Sequence, residues 1–304
     1  MSLQRTFKLA NGHAIPAIGL GTWQSKPNEV FEAVKTAIQV GYRHIDGAAI
    51  YGNEKEVGDA IAQAGAARES LFVTSKLWND SHHPQKVHQA LDKTLSDLKL
   101  SYLDLYLVHW PLPFLVDESG KPVRNKESGA IELDTSFTFQ DTWRELERAV
   151  EEGKVRSIGV SNFNVRRLKE LLAFARIKPV VNQVELHPYL PQNELFEFAK
   201  ANDILLTAYS PLGSGGSPNI LEDEVIAQVA KKHGKTSAQT LISWAAQRGT
   251  SVIPKSVNPE RIKANFEDFI LDEADIEAIN KLHLTKAKRY VDPKPFFGVD
   301  VFEN

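Results

Sequence analysis

Short apolar runs alternate with stretches in which apolar residues recur at spacings of three and four, and the alternation repeats along nearly the whole chain. A run of four to six residues rich in Val, Ile and Leu fits a strand covered on both faces. Three-and-four spacing instead lays one stripe of an α-helix on a core. Strands are predicted at 18–21, 43–46, 72–76, 104–109, 156–160, 180–184, 205–208 and 252–254. Helical stripes fall at Val30, Val34, Ala37 and Ile38 before Gly41, and at Val57, Ile61 and Ala64 before Gly65. Two more fall at Val87, Leu91, Leu95 and Leu98, and at Leu168, Leu171, Leu172 and Ala175. Ahead of the first strand, Phe7-Lys-Leu, the turn signal Asn11-Gly12 and Ala14-Ile15-Pro16 read as a hairpin able to cover one end of a core.

Eight βα units in one chain predict an α/β fold of the closed (β/α)8 type, a TIM barrel, as a single domain over residues 1–304. Periodicity alone also permits an open doubly wound sheet. Against that stands a missing motif: Gly19-Leu-Gly21-Thr-Trp-Gln lacks the third glycine of a dinucleotide fingerprint, and no helix opens there. Segments 112–139 and 289–304 interrupt the alternation and are expected to form long loops over the C-terminal face, since loops of that length are functional lids or disordered.

Composition narrows the function classes. Lys and Arg total 36 against 39 Asp and Glu, a net charge of −3, with no dense basic run, so nucleic acid is not an expected partner. Cysteine is absent, which excludes disulfides, thiolate metal sites and cysteine nucleophiles together and suits a cytoplasmic chain. The start lacks the apolar core of a signal peptide, and no stretch approaches the roughly 20 apolar residues that span a bilayer, so no membrane association is expected. A monomer is the default.

In a βα barrel the reacting groups stand where strands end at the C-terminal face. Here the second predicted strand ends in Asp46 with Tyr51 just beyond, the third in Lys76 and the fourth in His109. Singly, each has an ordinary structural role open to it; four at adjacent strand ends define a candidate proton-handling site. Their setting is specific. Gly41-Tyr-Arg-His-Ile-Asp46-Gly-Ala-Ala-Ile-Tyr51-Gly-Asn-Glu54 resembles the first signature of the aldo-keto reductase superfamily. Gly153-Lys-Val-Arg-Ser-Ile-Gly-Val-Ser161-Asn162-Phe163 resembles the second, and Ile253-Pro-Lys255-Ser256-Val-Asn-Pro-Glu-Arg261 the third. They occur in family order, from about residue 12 onward, with fungal glycerol dehydrogenases and aldehyde reductases among the members approached.

The resemblance implies an NADPH-dependent oxidoreductase that reduces small aliphatic, sugar or aromatic carbonyls to alcohols. It makes Tyr51 the general acid, with Lys76 lowering the phenol's pKa, Asp46 holding Lys76, and His109 orienting the carbonyl oxygen. Ser161, Asn162 and Gln183 become carboxamide ligands and Tyr209 the ring beneath the nicotinamide, while Asp46 also borders the cofactor. Gly21, Thr22 and Trp23 would flank it as well. The run Ser210-Pro-Leu212-Gly-Ser214-Gly-Gly-Ser217 would wrap the pyrophosphate. Lys255, Ser256, Val257 and Arg261 would hold the 2′-phosphate end, with Asn265 at the adenine. Trp23, Trp78 and Trp110, beside Tyr51 and His109, are the substrate-pocket candidates, closed over by segment 112–139 and by Phe296 and Phe297.

Two positions depart from the common family pattern: Ala264 stands where many members carry a glutamate, and Gly47 where a threonine or small polar residue is usual. Other readings stay open: a glycerol or polyol dehydrogenase, a xylose-type aldose reductase, or an NADPH-binding regulatory barrel without turnover. A metal-dependent hydrolase would call on His82-His83, but a solvated pair beside Pro84 and no metal is the expectation.

Overall fold

The computed structural model describes residues 2–26 and 28–302. Strands β1 (Thr6–Lys8) and β2 (Ala14–Pro16) pair antiparallel with Phe7 opposite Ile15, forming the expected hairpin. The remaining strands are β3 (Leu20–Gly21), β4 (His44–Asp46), β5 (Phe72–Leu77), β6 (Leu105–Val108), β7 (Ile158–Ser161), β8 (Val181–Glu185), β9 (Leu205–Tyr209) and β10 (Ser251–Val252). Among the described residues they make one eight-stranded parallel sheet in sequential order from β3 to β10.

The sheet closes on itself. Parallel bridges join Ile18 to Val252 and Gly21 to Lys255, and the Gly19 amide donates to the Val252 carbonyl at 2.9 Å. A Cβ on Gly21 would stand 2.9 Å from the Ile253 carbonyl oxygen, so the seam itself requires glycine there. The glycines that resembled a truncated nucleotide fingerprint thus serve closure of a (β/α)8 barrel.

Helices α1 (Glu29–Val40), α2 (Glu54–Gln63), α3 (Pro84–Leu98), α4 (Phe139–Glu151), α5 (Val165–Phe174) and α6 (Asn193–Ala201) follow successive strands. After β9 come α7 (Glu224–His233) and α8 (Ser237–Gln247); after β10 come α9 (Pro259–Phe266), α10 (Glu273–Asn280) and the short α11 (His283–Lys286) and α12 (Lys294–Phe297). Gly41 ends α1 in the left-handed region at φ 116°, as its place in the sequence predicts. Among the described residues no helix is long and apolar enough to cross a membrane.

Strand alternation separates two cores. Along β6, Tyr106 and Val108 face the helices, whereas Leu105 and Leu107 point into the barrel with Leu9, Ile15, Phe72, Val180 and Val181. The hairpin therefore stoppers the N-terminal end with Leu9 and Ile15. Toward the other end, the inward positions of the same strands turn polar. On β5 the sequence Phe72, Thr74, Lys76 runs from sealed floor to buried ammonium.

Segment 112–139 is folded back on itself by bridges Phe114 to Leu133, Val116 to Pro122 and Arg124 to Ile131. The tail lies against it: the Ile131 amide donates to the Phe297 carbonyl at 2.9 Å, and Arg124 donates to the Phe296 carbonyl at 3.2 Å. The expected tail reached residue 304; positions 303 and 304 lie outside the described residues.

Candidate active site

The register of β4 and β5 sets Asp46 beside Thr74, which puts Lys76 two positions further along the same inward face. Lys76 Nζ donates to Asp46 Oδ1 at 2.6 Å and to the Gly47 carbonyl at 2.8 Å. Both side chains are buried. Asp46 Oδ2 in turn accepts from Gln183 Nε2 at 2.7 Å, so one carboxylate ties the second barrel strand to the third and the sixth. A Cβ at Gly47 would meet only ordinary contacts, at 3.6 Å from the Thr74 oxygen and 3.7 Å from Thr22 Oγ1. The departure at this position thus leaves room for a side chain, and what the site uses is the backbone carbonyl.

Tyr51 sits at the end of a short 3₁₀ turn, Ala49–Tyr51, and reaches over this pair. Lys76 Nζ lies 5.4 Å from the centroid of its ring. The His109 ring closes the far side, 5.8 Å from the Tyr51 ring at 77°. The four side chains expected to converge do so.

Their electrostatics correct one expectation. Burial pushes the Tyr51 phenol well above its usual range, with Asp46 and Tyr209 acting in the same direction, so the phenol is raised rather than lowered in this site. Burial also lowers the Lys76 pKa, against Asp46 and Glu54, which favour the charge. Burial, Lys76 and His82 hold His109 far below the ordinary histidine range. The imidazole is neutral at physiological pH, and the phenol is protonated.

The residues expected to hold a cofactor lie around this centre. Ser161 Oγ donates to the Gln183 carbonyl at 2.7 Å, Asn162 Nδ2 to the His109 carbonyl at 2.9 Å, and the Tyr209 hydroxyl to Asn162 Oδ1 at 2.8 Å. Thr22 Oγ1 donates to the Asp46 carbonyl at 2.9 Å, beside Gly21 at the seam. Ser210 and Ser214 share a 2.6 Å hydroxyl contact and both adopt positive φ, curling residues 210–217 into a loop. Leu212 is partly buried against the core. Across the seam, Ser256 precedes α9, whose N-cap Asn258 accepts from the Arg261 amide at 3.0 Å. Lys255 and Arg261 are exposed, and neither makes an ion pair among the described residues. Val257 is half-buried and Asn265 buried on the inner side of α9. Hydroxyls and amides at one end and two unpaired cations at the helix start at the other suit a nicotinamide dinucleotide in donor chemistry.

Aromatic rings wall the substrate side. Trp78 packs edge-on to His109 at 5.1 Å and to Phe114 at 6.0 Å; Phe297 contacts Trp110 at 5.7 Å and Phe114 at 5.2 Å. One expectation changes here: Phe296 is 70 % exposed and makes none of these ring contacts, while Trp23 is 44 % exposed. Of the histidine pair expected to be solvated, His82 is buried, 1 % exposed, and His83 is half-buried. His83 caps α3, accepting from the Gln85 amide at 3.3 Å.

Several contributors carried no role in the sequence reading. Glu54, inside the first signature, is buried and accepts from Ser75 at 2.6 Å and Thr94 at 3.1 Å, fastening α2 to β5 and α3 behind Lys76. Asn53 donates to the carbonyls of Thr22 and Ser25 at 3.0 and 3.3 Å, fixing the first strand's exit. Glu185 accepts the amides of Tyr290 and Val291 at 2.7 and 2.8 Å and so moors the tail. Tyr290 packs on Gly216, where a Cβ would come within 2.4 Å of its ring, and donates to the Pro218 carbonyl at 2.5 Å. The alternation Gln183-Val-Glu185-Leu-His187, polar at each inward position from residue 183 onward, was the available signal for Glu185.

A closed parallel barrel with a Tyr, Lys, Asp and His cluster at its C-terminal mouth and a dinucleotide-shaped donor set defines a carbonyl–alcohol oxidoreductase. Residues 17–283 match the Aldo/keto reductase family, and the chain belongs to it. It is 48 % identical to aldose reductase B of Dictyostelium discoideum over 99 % of both chains. It is 47 % identical to glycerol 2-dehydrogenase (NADP(+)) of Saccharomyces cerevisiae, over 95 % of this chain and 94 % of the relative. Among solved structures, aldose reductase from Giardia lamblia superposes with a TM-score of 0.89 at 42 % identity, covering 95 % of this chain and 98 % of that one.

Proposed function

We propose that the protein is an NADPH-dependent reductase of aldehydes and ketones in which Tyr51 is the general acid. The observation that carries this reading is the convergence of Tyr51 and His109 above the buried Lys76–Asp46 pair. When bound, the nicotinamide supplies the hydride. Every other task falls to the chain. His109, kept neutral by burial, donates a hydrogen bond that orients the carbonyl oxygen. Tyr51, kept protonated by burial, delivers the proton to that oxygen. Lys76 stabilises the phenolate left behind, and Asp46 keeps Lys76 charged and aimed.

Ser161, Asn162 and Gln183 bind the carboxamide, Tyr209 supports the ring, and Gly21, Thr22 and Trp23 border it. Ser210, Leu212 and Ser214 enclose the pyrophosphate. Lys255, Ser256 and Arg261 select the 2′-phosphate, with Val257 and Asn265 flanking the adenine, so NADPH is preferred to NADH. Trp78, Trp110, Phe114 and Phe297 exclude water from the reacting carbonyl. Polyol oxidation with NADP+ is the second reading, favoured by the likeness to glycerol 2-dehydrogenase (NADP(+)). The deciding experiment follows NADPH absorbance with glyceraldehyde, xylose and benzaldehyde, and NADP+ reduction with glycerol, each with the NAD(H) pair alongside. Absence of turnover with every carbonyl and alcohol refutes the catalytic reading.

A further inference from the structure

Strand β5 presents Lys76 to the barrel interior, level with Leu107, and Ser75 to the helices, level with Tyr106. On that outer face, behind the ammonium, stands Glu54 in the first turn of α2, 6 % exposed. Its carboxylate accepts from Ser75 Oγ at 2.6 Å and from Thr94 Oγ1 at 3.1 Å. Among the described residues no cation lies within ion-pair distance of it. Lys93, the nearby ammonium on α3, is exposed and pairs with Asp97. The Tyr106 phenol, also beside Glu54, is kept protonated by burial. On the inner face Lys76 meets Asp46 from β4, Tyr51 from the turn beyond it, His109 from the end of β6 and His44 two residues before Asp46. Burial holds both histidines neutral, so the charges that act on the ammonium are those of Asp46 and Glu54.

A tether joining α2, α3 and β5 needs only a hydrogen-bond partner, and a glutamine amide would supply one without desolvating a charge. A buried carboxylate served by hydroxyls and no cation is costly to keep. What the charge adds is its field, which crosses one strand of poorly polarisable protein and favours the ammonium from behind, as Asp46 favours it from the front. We propose that Glu54 is a positioning residue for the reaction, a second counter-charge behind the sheet that acts with Asp46 to keep Lys76 protonated. On the catalytic reading above, Lys76 serves the reaction by stabilising the Tyr51 phenolate, and the role given to Glu54 rests on that reading. Asp46 and the Gly47 carbonyl aim the amine by direct contact; Glu54 touches neither Nζ nor the reacting atoms and works through its field alone. With rising pH, Lys76 is the first of the Tyr51–Lys76 pair to lose its proton, because burial raises the phenol and lowers the amine. Without Glu54 that loss comes earlier.

The test is a pH titration of the full-length protein carrying isotope-labelled lysine, read by the Lys76 ε-methylene resonance and assigned through Lys76→Met. In Glu54→Gln, which keeps the shape and can still bond both hydroxyls, the Lys76 midpoint should fall by about half a pH unit or more. Ser75→Ala removes a hydrogen bond but keeps the carboxylate, and its midpoint should stay at the wild-type value. The alkaline limb of carbonyl reduction should begin lower in Glu54→Gln by the same interval, with the rate at about pH 7 within about threefold of wild type. An unmoved midpoint in Glu54→Gln, an equal fall in Ser75→Ala, or an alkaline limb that stays in place while the midpoint moves overturns the proposal. If Glu54→Gln does not fold, Glu54→Met/Ser75→Ala/Thr94→Val removes the charge together with its donors and takes its place under the same criteria. The midpoint is read without substrate, so a wild type that turns over no carbonyl refutes the catalytic reading while the midpoint still decides whether Glu54 charges Lys76.

Discussion

Asp46 and Lys76 form a buried ion pair at 2.6 Å in which neither partner reaches water. Removing one member strands the other's charge, which typically costs about 3–5 kcal/mol, whereas replacing both with apolar groups of similar volume costs far less. Asp46→Asn should therefore shift the denaturant midpoint strongly downward, and Asp46→Leu/Lys76→Met should recover much of the loss while remaining inactive. If the single variant unfolds at the wild-type midpoint, the pair is not the strut described.

Tyr51→Phe removes the proposed proton donor and leaves the proposed cofactor donors intact. Turnover with carbonyl substrates should fall by about 10²–10⁴-fold, while NADPH affinity by fluorescence titration stays within a few-fold of wild type. Because burial raises the phenol's pKa, the acid form needed for reduction persists with rising pH, and the reduction rate should stay level through neutrality to at least about pH 9. A loss of reductase activity through neutral pH as the phenol deprotonates would contradict that.

Arg261→Ala should raise the Michaelis constant for NADPH by about tenfold or more and leave that for NADH nearly unchanged, since a guanidinium contact to a phosphate contributes about 1.5–3 kcal/mol. Equal effects on the two nucleotides would remove the phosphate from this position.

The acid dependence of folding draws on buried histidines, His44 and His82 as well as His109. Burial lowers His44 to about 4 and His82 to about 3, whereas the unfolded chain binds these protons near 6.5. Stability is therefore full above about pH 6.5 and falls as pH drops toward 4, by at most about 1.4 kcal/mol per pH unit for each group. Thermal melts of His82→Asn should show a shallower acid decline than wild type; an unchanged slope would mean His82 is already charged in the folded protein.

Tyr290 joins the loop at 213–218 to the moored tail through its ring and its hydroxyl. Tyr290→Phe keeps the ring and loses one hydrogen bond of about 1 kcal/mol. Stopped-flow release of the nucleotide should speed up by about three- to tenfold; an unaltered release rate would show that the loop opens without breaking this contact.

What could be read from the sequence follows from what repeats in it. Every barrel strand was foreseen to within about three residues, because short apolar runs between amphipathic stripes have few other uses. The tetrad was legible because strand ends are where a barrel displays chemistry, and Asp46, Lys76 and His109 each end an apolar run. Contacts between distant segments were not. Nothing near Glu185 indicates that the amides of residues 290 and 291 will come to it, and His82 beside Pro84 looks solvated until α3, α4 and α5 close around it. The phenol's pKa was misjudged for the same reason: pairwise attraction can be guessed from neighbours in a motif, but desolvation belongs to the finished cavity.

The seam between Gly21 and Lys255 also orders events in time. A growing chain that has emerged through β6 already contains Asp46, Tyr51, Lys76 and His109, yet its hydrophobic floor is open and the phosphate end of the nucleotide has no cradle. Only when the eighth strand arrives can the first find its second neighbour, so the closed shape and the proposed nucleotide cradle come together in one late step.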